Sequence, residues 1–425
     1  MALFKHFEHM AHSLLQSAVE EVLGEDDRSS ASGHELMQAL HKYSEDKAAG
    51  KSAPEPPEPD SAVSSAEYCA WLHGELLWAK VSGDENEIKA CEEKLEKFTI
   101  CDPRWAEILP IAWKYFDLEG KKIPYRMHKS MDDFVLDTLP EQGTIAVIGD
   151  WGTGEKDAVD LLKKVAEHKP LLLIHLGDVY YAGTKEEQTN YFLNICRDVV
   201  GDIPLFTLSG NHDMYSGGAG YYGLLDEIGQ PASYFALRNS KMQFLAMDTG
   251  YHDTNPLDAD AMTWLEASEA EWHVDKLKRA DGRSTVLLSH NQLYTYNSGI
   301  GGEPLNKKLL DVFGPYLGQV NLWLWGHEHN MVGFEPFAGL NKGRCVGCSA
   351  VPQSVDQDLY ELNPKFKGKD HPVMIDAMKL GTDSERALYN LGYSIMNLDG
   401  AAAEIEYFEY IRSSDSIRSL YKENI

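Results

Sequence analysis

The stretch LLLIHLGDVYYAG, residues 171–183, decides the fold because an apolar run of strand length stops abruptly at polar residues. Gly177 and Asp178 stand where this run ends. Four other runs end in a similar way: TIAVIGDWG (144–152), IPLFTLSGNHD (203–213), STVLLSH (284–290) and VNLWLWGHEHN (320–330). Short apolar runs bounded by glycine predict the core strands of an α/β sheet, where polar residues gather at the strand ends.

The five strand ends carry side chains that are good metal ligands. These are Asp150, Asp178, Tyr181, Asn211, His290, His327 and His329. A turn that caps a strand explains any one cluster, but it does not explain seven ligands at five successive strand ends. Polar groups in such places are costly unless something binds them. The pattern therefore favours a metal site over a set of unrelated turns.

The types of ligand indicate which metals and which reaction to expect. Oxygen donors mixed with imidazoles suit Fe, Mn or Zn, and no cysteine occupies any of the five clusters. A carboxylate can bridge two cations, and Asp178 lies in the middle of the set. Two metals about 3.5–4 Å apart lower the pKa of a bound water and hold the attacking and leaving oxygens of a displacement at phosphorus. The sequence therefore predicts a hydrolytic site for phosphate esters.

At these residues the chain resembles the calcineurin-like metallophosphoesterases and, more narrowly, the purple acid phosphatases of the small, mammalian type. Residues 150–152 have the D-x-G form of that branch, residues 177–181 have its G-D-x-x-Y form, and residues 210–213 spell G-N-H-D. The resemblance covers roughly residues 141–412. It implies a two-sheet β-sandwich flanked by helices, the four-layer metallophosphoesterase fold, of class α/β.

The resemblance also implies a role for each ligand. It places Asp150, Tyr181 and His329 on the first metal, Asn211, His290 and His327 on the second, and Asp178 between the two. A free phenol has a pKa of about 10, so a tyrosinate ligand at neutral pH needs a strong Lewis acid such as Fe(III). The second metal is then expected to be Fe, Zn or Mn. Alternatively, Tyr181 only packs beside the strand end and the first site takes a divalent metal.

His212 and Asp213 are the predicted catalytic pair. In the family that the chain resembles, the equivalent histidine contacts the phosphate or protonates the leaving group, and the adjacent acid orients it. The alternative is a structural histidine beside the metals. The expected reaction is in-line attack of a metal-bound hydroxide on a phosphomonoester. The other candidates are a phosphodiesterase for nucleotides or lipid head groups and, less favoured, a metal-binding regulatory or docking module.

The charge of the chain limits its partners. With 67 acidic and 39 basic residues, the formal net charge is −28, which disfavours binding to extended nucleic acid. A small phosphorylated substrate remains compatible because two buried cations attract anions locally. Two Gly- and Tyr-rich stretches after His212 and His290 are expected at the pocket rim. Their substrate-binding candidates, for which packing is an equally good interpretation, are Tyr221, Tyr222, Tyr294 and Tyr296.

The composition also divides the chain into segments. We expect an N-terminal helical segment (1–50), a Pro-rich linker (51–65), a helical hairpin (66–98), the catalytic domain (141–412) and a C-terminal tail (413–425). Within the domain, two β-rich runs about Asp399 and Gly400 predict a closing hairpin. The segment 356–379 has no clear period. The first helix is amphipathic without a basic face, which favours a protein partner or self-association.

The predicted location is cytoplasmic. The first residues lack the uninterrupted apolar stretch of an export signal, and no run reaches the roughly 20 apolar residues that span a bilayer. Six scattered cysteines do not form a disulfide framework, and C-V-G-C at 345–348 lacks the second pair of a zinc site. Thiols indicate a reducing compartment.

Overall fold

The computed structural model describes residues 86–91, 122–254, 261–297, 299–353, 355, 358–384, 388–400 and 402–425. The chain divides into two compact units, one of residues 1–119 with 255–259 and one of residues 120–254 with 260–425. In the first unit the described part is helical, residues 86–91, and falls within the predicted hairpin. The predicted N-terminal segment, the linker and the remainder of the hairpin lie outside the described residues. None of the helices in the described ranges is long and apolar enough to cross a bilayer.

The described part of the second unit contains the strands of the fold. They are β1 (Val135–Leu136), β2 (Gln142–Ile148), β3 (Leu172–His175), β4 (Leu205–Thr207), β5 (Phe235–Arg238), β6 (Met242–Ala246), β7 (Ser284–Leu288), β8 (Val320–Trp325), β9 (Met331–Phe334), β10 (Gly343–Val346), β11 (Thr382–Asp383), β12 (Leu388–Tyr389), β13 (Leu391–Asp399), β14 (Ala402–Ile411) and β15 (Ser416–Asn424).

Helices connect and cover these strands. They are α1 (Lys156–Glu167), α2 (Lys185–Glu187, continued by a π-helical stretch Gln188–Leu193 and by Asn194–Val200), α3 (Asn211–Tyr215), α4 (Ala219–Ile228), α5 (Ala267–Lys278) and α6 (Lys307–Phe313). Short 3₁₀ turns occupy Gly250–His252, Gly314–Gln319, Pro364–Phe366, Asp376–Met378 and Arg412–Ser414.

The strands form two large sheets. One sheet has the order β1-β5-β6-β7-β8-β10-β9, and the other has the order β15-β14-β13-β2-β3-β4. Strands β2, β3 and β4 are parallel neighbours in the second sheet, and β6, β7 and β8 are parallel neighbours in the first. Parallel neighbours end at the same edge of a sheet, so the residues that follow them gather there.

The period of two along β2 shows how the layers are built. Ile145 and Val147 face a buried apolar cluster shared by the two sheets, where they join residues of β7 and β8. Ala146 and Ile148 face the opposite side and join Leu161 of α1. On the far side of the other sheet, a third cluster holds side chains of α5 and α6. The predicted two-sheet sandwich flanked by helices is therefore confirmed.

The C-terminal part agrees with one prediction and corrects another. Strands β13 and β14 pair antiparallel, and Gly400, with φ of 62°, makes the turn between them. Residues 413–425, predicted to be a tail, instead contain β15, which pairs with β14 at the edge of its sheet. This strand has no apolar run because it is an edge strand without a fully buried residue. Polar edge strands of this kind protect a sheet from pairing with other chains.

Candidate metal centre

The ends of five strands from both sheets meet at one place. Asp150, Asp178 and Asn211 follow β2, β3 and β4 of the six-stranded sheet. His290 and His327 follow β7 and β8 of the seven-stranded sheet. Their close contacts form two groups of donor atoms.

The first group to consider consists of four donors around Asn211. Its Oδ1 atom lies 3.1 Å from Nε2 of His290 and 3.0 Å from Nδ1 of His327. The two imidazole nitrogens lie 3.2 Å apart, and Nε2 of His290 lies 3.3 Å from Oδ2 of Asp178. Metal ligands with bonds of about 2.0–2.2 Å at tetrahedral or octahedral angles lie about 2.8–3.6 Å from one another. The four atoms therefore have the spacing of ligands around one ion.

Neighbouring groups aim these donor atoms at one another. The Asn211 amide Nδ2 donates to the Tyr215 hydroxyl at 2.6 Å, which turns Oδ1 toward the histidines. Nδ1 of His290 donates to the Leu176 carbonyl at 2.9 Å, because a carbonyl can only accept. Nε2 of His290 then faces the Asn211 oxygen and carries the proton that a metal would replace. Two acceptors at this distance repel unless a cation or a proton lies between them, so the residues fit a metal.

The charges of the group agree with this arrangement. Burial alone would lower the pKa of His290, but the adjacent Asp178 carboxylate raises it to about 10. Burial and the neighbouring His290 lower the pKa of His327 to about 3. Burial opposes ionisation of Asp178, yet His290 and His212 hold its pKa below the usual range. One positive charge in this group therefore balances the buried carboxylate.

The second group of donors lies around Asp150. Its Oδ1 atom is 3.4 Å from Nε2 of His329 and 3.3 Å from the hydroxyl of Tyr180, and that hydroxyl is 2.8 Å from the same histidine nitrogen. Donor atoms of Asp150, Asp178 and His329 lie within 4.8 Å of one another, as do those of Asp178, His290 and His327. Asp178 thus belongs to both groups, as a bridging ligand would.

Glycine makes room for the Asp178 carboxylate. A Cβ atom at Gly210 would overlap Oδ1 of Asp178, so only glycine leaves space for that oxygen. At Gly177, where φ is 105°, a Cβ atom would lie 2.7 Å from Nδ1 of His290. Both glycines therefore permit the close approach of ligands and backbone.

Four of the candidate ligands have a left-handed backbone. The φ angles are 53° at Asp150, 70° at Asp178, 71° at His327 and 46° at His329. This conformation is uncommon outside glycine and concentrates at functional sites, where the surrounding structure holds it in place. This backbone conformation ends the extended direction of the chain after the strand.

His212 lies directly beside the ligands. Its backbone N–H donates to Oδ1 of Asp178 at 2.9 Å, and its Nδ1 donates to the carbonyl of Tyr181 at 2.7 Å. Its ring centroid is 4.7 Å from that of Tyr180. Burial lowers the pKa of His212. The histidine is therefore held with a defined tautomer, with the proton on Nδ1.

Asp213 contributes in a different way from the predicted one. Its carboxylate accepts from the backbone N–H groups of Gly210 at 2.8 Å, Asp178 at 2.9 Å and Val179 at 3.2 Å, and from Nε2 of Gln188 at 2.6 Å. The contact that orients His212 comes from the Tyr181 carbonyl instead. Burial and the Asp178 carboxylate raise the pKa of Asp213 to about 7, although the four N–H donors favour its charged form. Asp213 therefore joins the two turns that carry Asp178 and Asn211.

The two adjacent tyrosines make different contacts with the site. Tyr180 brings its hydroxyl to the Asp150 group, and burial, Asp150 and Asp178 raise its pKa above the usual value. Tyr181 offers its backbone: the carbonyl accepts from His212, and the N–H donates to Glu187 at 2.6 Å. The assignment of Tyr181 as a ligand stays a prediction.

Two residues that support the site were missed in the sequence. Glu187 forms a capping box with Thr184 at the start of α2 and also holds the Tyr181 backbone. Its T-x-x-E signature is visible in the sequence. The amide Nε2 of Gln353 lies 3.2 Å from Nδ1 of His329. Gln353 has no local signature because it lies 24 residues beyond its partner and outside every motif.

The structure corrects the expectation for the four tyrosines of the predicted pocket rim. Their side chains are buried, with exposed fractions between 0% and 3%: Tyr221, Tyr222, Tyr294 and Tyr296. Tyr221 donates to the Thr207 carbonyl at 3.0 Å, and Tyr222 shares a hydrogen bond with Ser233 at 3.1 Å. Tyr294 and Tyr296 belong to the apolar cluster under the seven-stranded sheet. The four side chains therefore pack within the protein, which was the alternative interpretation.

The C-V-G-C motif at residues 345–348 begins in a strand and ends in the turn after it. Cys345 lies in β10 and Cys348 follows it in the next turn, both buried. Along the described ranges, the free thiols are Cys91, Cys196, Cys345 and Cys348.

Part of the chain matches a known protein family. Residues 143–331 match the family model described as calcineurin-like phosphoesterase. This range includes all the predicted ligands and both predicted catalytic residues. No curated protein sequence matches the chain.

The solved structures to which the chain is similar are distant from it in sequence. A purple acid phosphatase from yellow lupin (Lupinus luteus) seeds, PPD1, is 13% identical with a TM-score of 0.44; the alignment covers 67% of this chain and 54% of the lupin chain. A dimetal phosphatase from Danio rerio is 12% identical, with a TM-score of 0.42 and coverage of 65% and 98%. GAP50, an anchor in the inner membrane complex of Plasmodium, is 14% identical, with a TM-score of 0.41 and coverage of 66% and 89%. The chain thus spans about half of the lupin protein.

Proposed function

The chain carries a calcineurin-like phosphoesterase domain over residues 143–331, and from this premise we propose that it hydrolyses small phosphomonoesters at a two-metal centre. The observation that carries the proposal is the convergence of Asn211, His290, His327 and Asp178 at strand ends of both sheets, with donor atoms 3.0–3.3 Å apart. Such a cluster is costly without a cation.

The proposed ligands divide between two positions that share one carboxylate. Asp150 and His329 hold the first metal, Asn211, His290 and His327 hold the second, and Asp178 reaches both. The register of the G-D-x-x-Y pattern adds Tyr181 to the first position. Oxygen and imidazole donors suit Fe, Zn or Mn. An Fe(III) ion at the first position would need the phenolate that the pattern predicts.

When bound, two such metals supply an activated water and a positive field for the phosphate oxygens. The protein's own residues supply the geometry. The Asp213 carboxylate fixes the backbone of Asp178 and Gly210, so the bridging carboxylate and the Asn211 turn keep their relative position. His212 is anchored at Nδ1 by the Tyr181 carbonyl, which directs Nε2 as the atom that can exchange a proton. We assign to His212 the protonation of the leaving oxygen, which requires the imidazolium form with a second proton on Nε2; this proton passes to the leaving oxygen and His212 returns to its neutral form.

The substrate class follows from charge and from the predicted branch of the family. A formal charge of −28 opposes a long nucleic acid but leaves a small ester free to reach buried cations. The purple-phosphatase pattern favours monoesters over diesters. The free thiols along the described ranges support a reducing compartment, and we propose the cytoplasm.

The experiment combines metal analysis with turnover of a matched pair of substrates. Full-length protein is stripped with a chelator, reloaded with Fe, Mn or Zn, and assayed with p-nitrophenyl phosphate and bis-p-nitrophenyl phosphate. We expect two metal ions per chain and faster hydrolysis of the monoester. Faster hydrolysis of the diester would make the protein a phosphodiesterase. Failure to hydrolyse either ester with metals bound would reject the enzymatic function and leave a docking role.

Paired variants separate the metal centre from the remainder of the surface. His290→Ala removes a proposed ligand, whereas His371→Ala changes an exposed-loop histidine whose Nδ1 hydrogen-bonds the carbonyl of Lys369 in its own loop. The first variant should lose metal and activity together. The second should keep both.

A further inference from the structure

The turn after β6, residues 248–253, packs against the segment that carries one of the proposed ligands of the second metal. A Cβ atom added to Gly250 in this turn would lie 2.6 Å from the carbonyl oxygen of Gly210. Gly210 comes directly before Asn211. The turn therefore meets the Asn211 segment backbone to backbone, with no side chain between them.

A carboxylate joins the same turn to the end of β4. The hydroxyl of Ser209 donates to Oδ1 of Asp248, and the Tyr251 backbone N–H donates to the same oxygen at 3.0 Å. Ser209 and Asp248 are both buried. Glu269 of α5 accepts from the Asp248 backbone N–H at 2.9 Å. Asp248 is therefore held in its own turn and connects that turn to the residue two positions before Asn211.

The turn also holds the segment that carries a second ligand, His290. The hydroxyl oxygen of Thr249 accepts from the backbone N–H of Asn291 at 3.0 Å. The Asp253 carboxylate accepts from Nδ2 of Asn291 at 2.9 Å. Asn291 directly follows His290 in the sequence. Two contacts from the turn thus fix the neighbour of His290.

These contacts bear on the separation of the two ligands. Asn211 follows β4 of one sheet and His290 follows β7 of the other, yet their donor atoms lie 3.1 Å apart. Pairing between strands does not fix this distance, because the two strands belong to different sheets. Groups that orient a ligand typically change metal affinity by about 10–100-fold. A turn bound next to both ligands can therefore set their separation.

We propose that residues 248–253 position Asn211 relative to His290 and thereby set the affinity of the second metal. Asp248 acts on the side of the amide ligand, and Thr249 acts on the side of the imidazole ligand. Both act through other residues and are positioning residues. The inference rests on the two-metal function proposed above, because its effect is exerted through two of the proposed ligands.

The test measures metal binding at the two positions separately. Ser209→Ala removes the donor to Asp248. Thr249→Val removes the acceptor of the Asn291 N–H but keeps the shape of the side chain, and a double variant carries both changes. Stripped full-length protein is titrated with Mn²⁺, and electron paramagnetic resonance distinguishes free Mn²⁺, one bound ion and a spin-coupled pair. The binding step that disappears in His290→Ala is assigned to the second position.

Two controls separate positioning from a general loss of stability. Thr249→Ser retains the hydroxyl. Thr285→Val removes another buried hydroxyl, which accepts from Nε2 of Gln243 at 3.0 Å and lies in β7, the strand that precedes His290. Circular dichroism and urea unfolding check the fold of each variant. Both controls should bind the two ions as the wild type does.

We expect Ser209→Ala and Thr249→Val each to weaken binding of the second Mn²⁺ by about 10–100-fold and to leave the first nearly unchanged. The double variant should lose less than the product of the two single losses, because breaking either connection already frees the separation of the ligands. Losses that multiply fully would mean that the two residues act independently, which would overturn the proposal.

The remaining outcomes separate this proposal from the function on which it rests. Equal losses at both metal positions, or the same selective loss in Thr285→Val, would also overturn the proposal. Normal binding of two ions by both Ser209→Ala and Thr249→Val would overturn it and leave the two-metal function intact. A wild type that binds fewer than two ions would reject both.

Discussion

Nε2 of His290 and Nδ1 of His327 lie 3.2 Å apart, although the two histidines are 37 residues apart in the sequence. They come together because they follow neighbouring strands of one sheet. The Asn211 oxygen, from the other sheet, lies about equally close to both nitrogens. Two imidazole nitrogens and an amide oxygen therefore meet there, beside the buried Asp178 carboxylate. The meeting of the two sheets creates an electrostatic demand that a cation satisfies.

Replacing His290 by Ala should remove the second metal. Loss of a group that only supports a ligand typically costs about 10–100-fold in metal affinity, so loss of the ligand itself should cost more than about 100-fold. Metal titration of the stripped protein measures the effect. Undiminished binding of two ions by this variant would contradict the ligand set.

Replacing His212 by Ala should leave the metals bound and slow hydrolysis by on the order of 10²–10⁴-fold, as expected when a general acid is lost. The effect should shrink for esters with better leaving groups, because these need less protonation. Steady-state rates across substituted phenyl phosphates test this. A variant that loses its metals would make His212 a ligand instead.

Gly210→Ala should displace the bridging carboxylate, because the added Cβ atom would overlap Oδ1 of Asp178. We expect weaker binding of both metals and loss of activity. Gly223→Ala is the matched control: it lies in α4, and a Cβ atom there meets no atom within 4 Å. The control should keep its metals and gain about 0.5–1 kcal/mol in unfolding free energy, since alanine favours a helix over glycine.

Gln353 should strengthen metal binding at the first position through its contact with His329. A metal on Nε2 requires a proton on Nδ1, and the Gln353 side chain can accept it by turning its amide oxygen toward the ring. Gln353→Ala should weaken the first metal by about 10–100-fold and leave the second unchanged. Gln353→Glu should restore binding because a carboxylate also accepts from Nδ1. Equal losses in both variants would mean that Gln353 acts only by packing.

A buried acid away from the metals should make stability depend on pH. Burial raises the pKa of Glu269 to about 8, and its oxygens accept from Tyr125 and from the backbone of Asp248. The folded state therefore keeps a proton that the unfolded chain releases above its ordinary pKa of 4.5. The contribution of this proton to the free energy of unfolding should be fully present below pH 4.5 and should be lost as the pH rises through about 8.

Glu269→Gln removes this titration and should make the free energy of unfolding depend less on pH. Between about pH 5 and about pH 8.5, the wild type should lose on the order of a few kcal/mol more unfolding free energy than the variant, since one pKa unit corresponds to about 1.4 kcal/mol. Urea unfolding at the two pH values measures the difference in unfolding free energy. Parallel losses in the two proteins would place the proton elsewhere.

The sequence was sufficient to predict the strands that carry the ligands. The runs ending at Asp150, Asp178, Asn211, His290 and His327 are β2, β3, β4, β7 and β8. Strand formation there depends on local composition and length, which can be read directly along the chain. The ligand types at the ends also indicated the metal class, because the affinity of oxygen and nitrogen donors is a property of the residues themselves.

Only the tertiary structure decided which side chains point inward. Tyr180 and Tyr181 are chemically identical and both buried, and it is the structure that brings the hydroxyl of Tyr180 to Asp150 and His329. Gln353 reaches His329 across 24 residues, and β15 is recognisable as a strand only through its pairing with β14. Such contacts depend on the relative placement of distant segments, which packing of the two sheets determines and local sequence patterns do not encode.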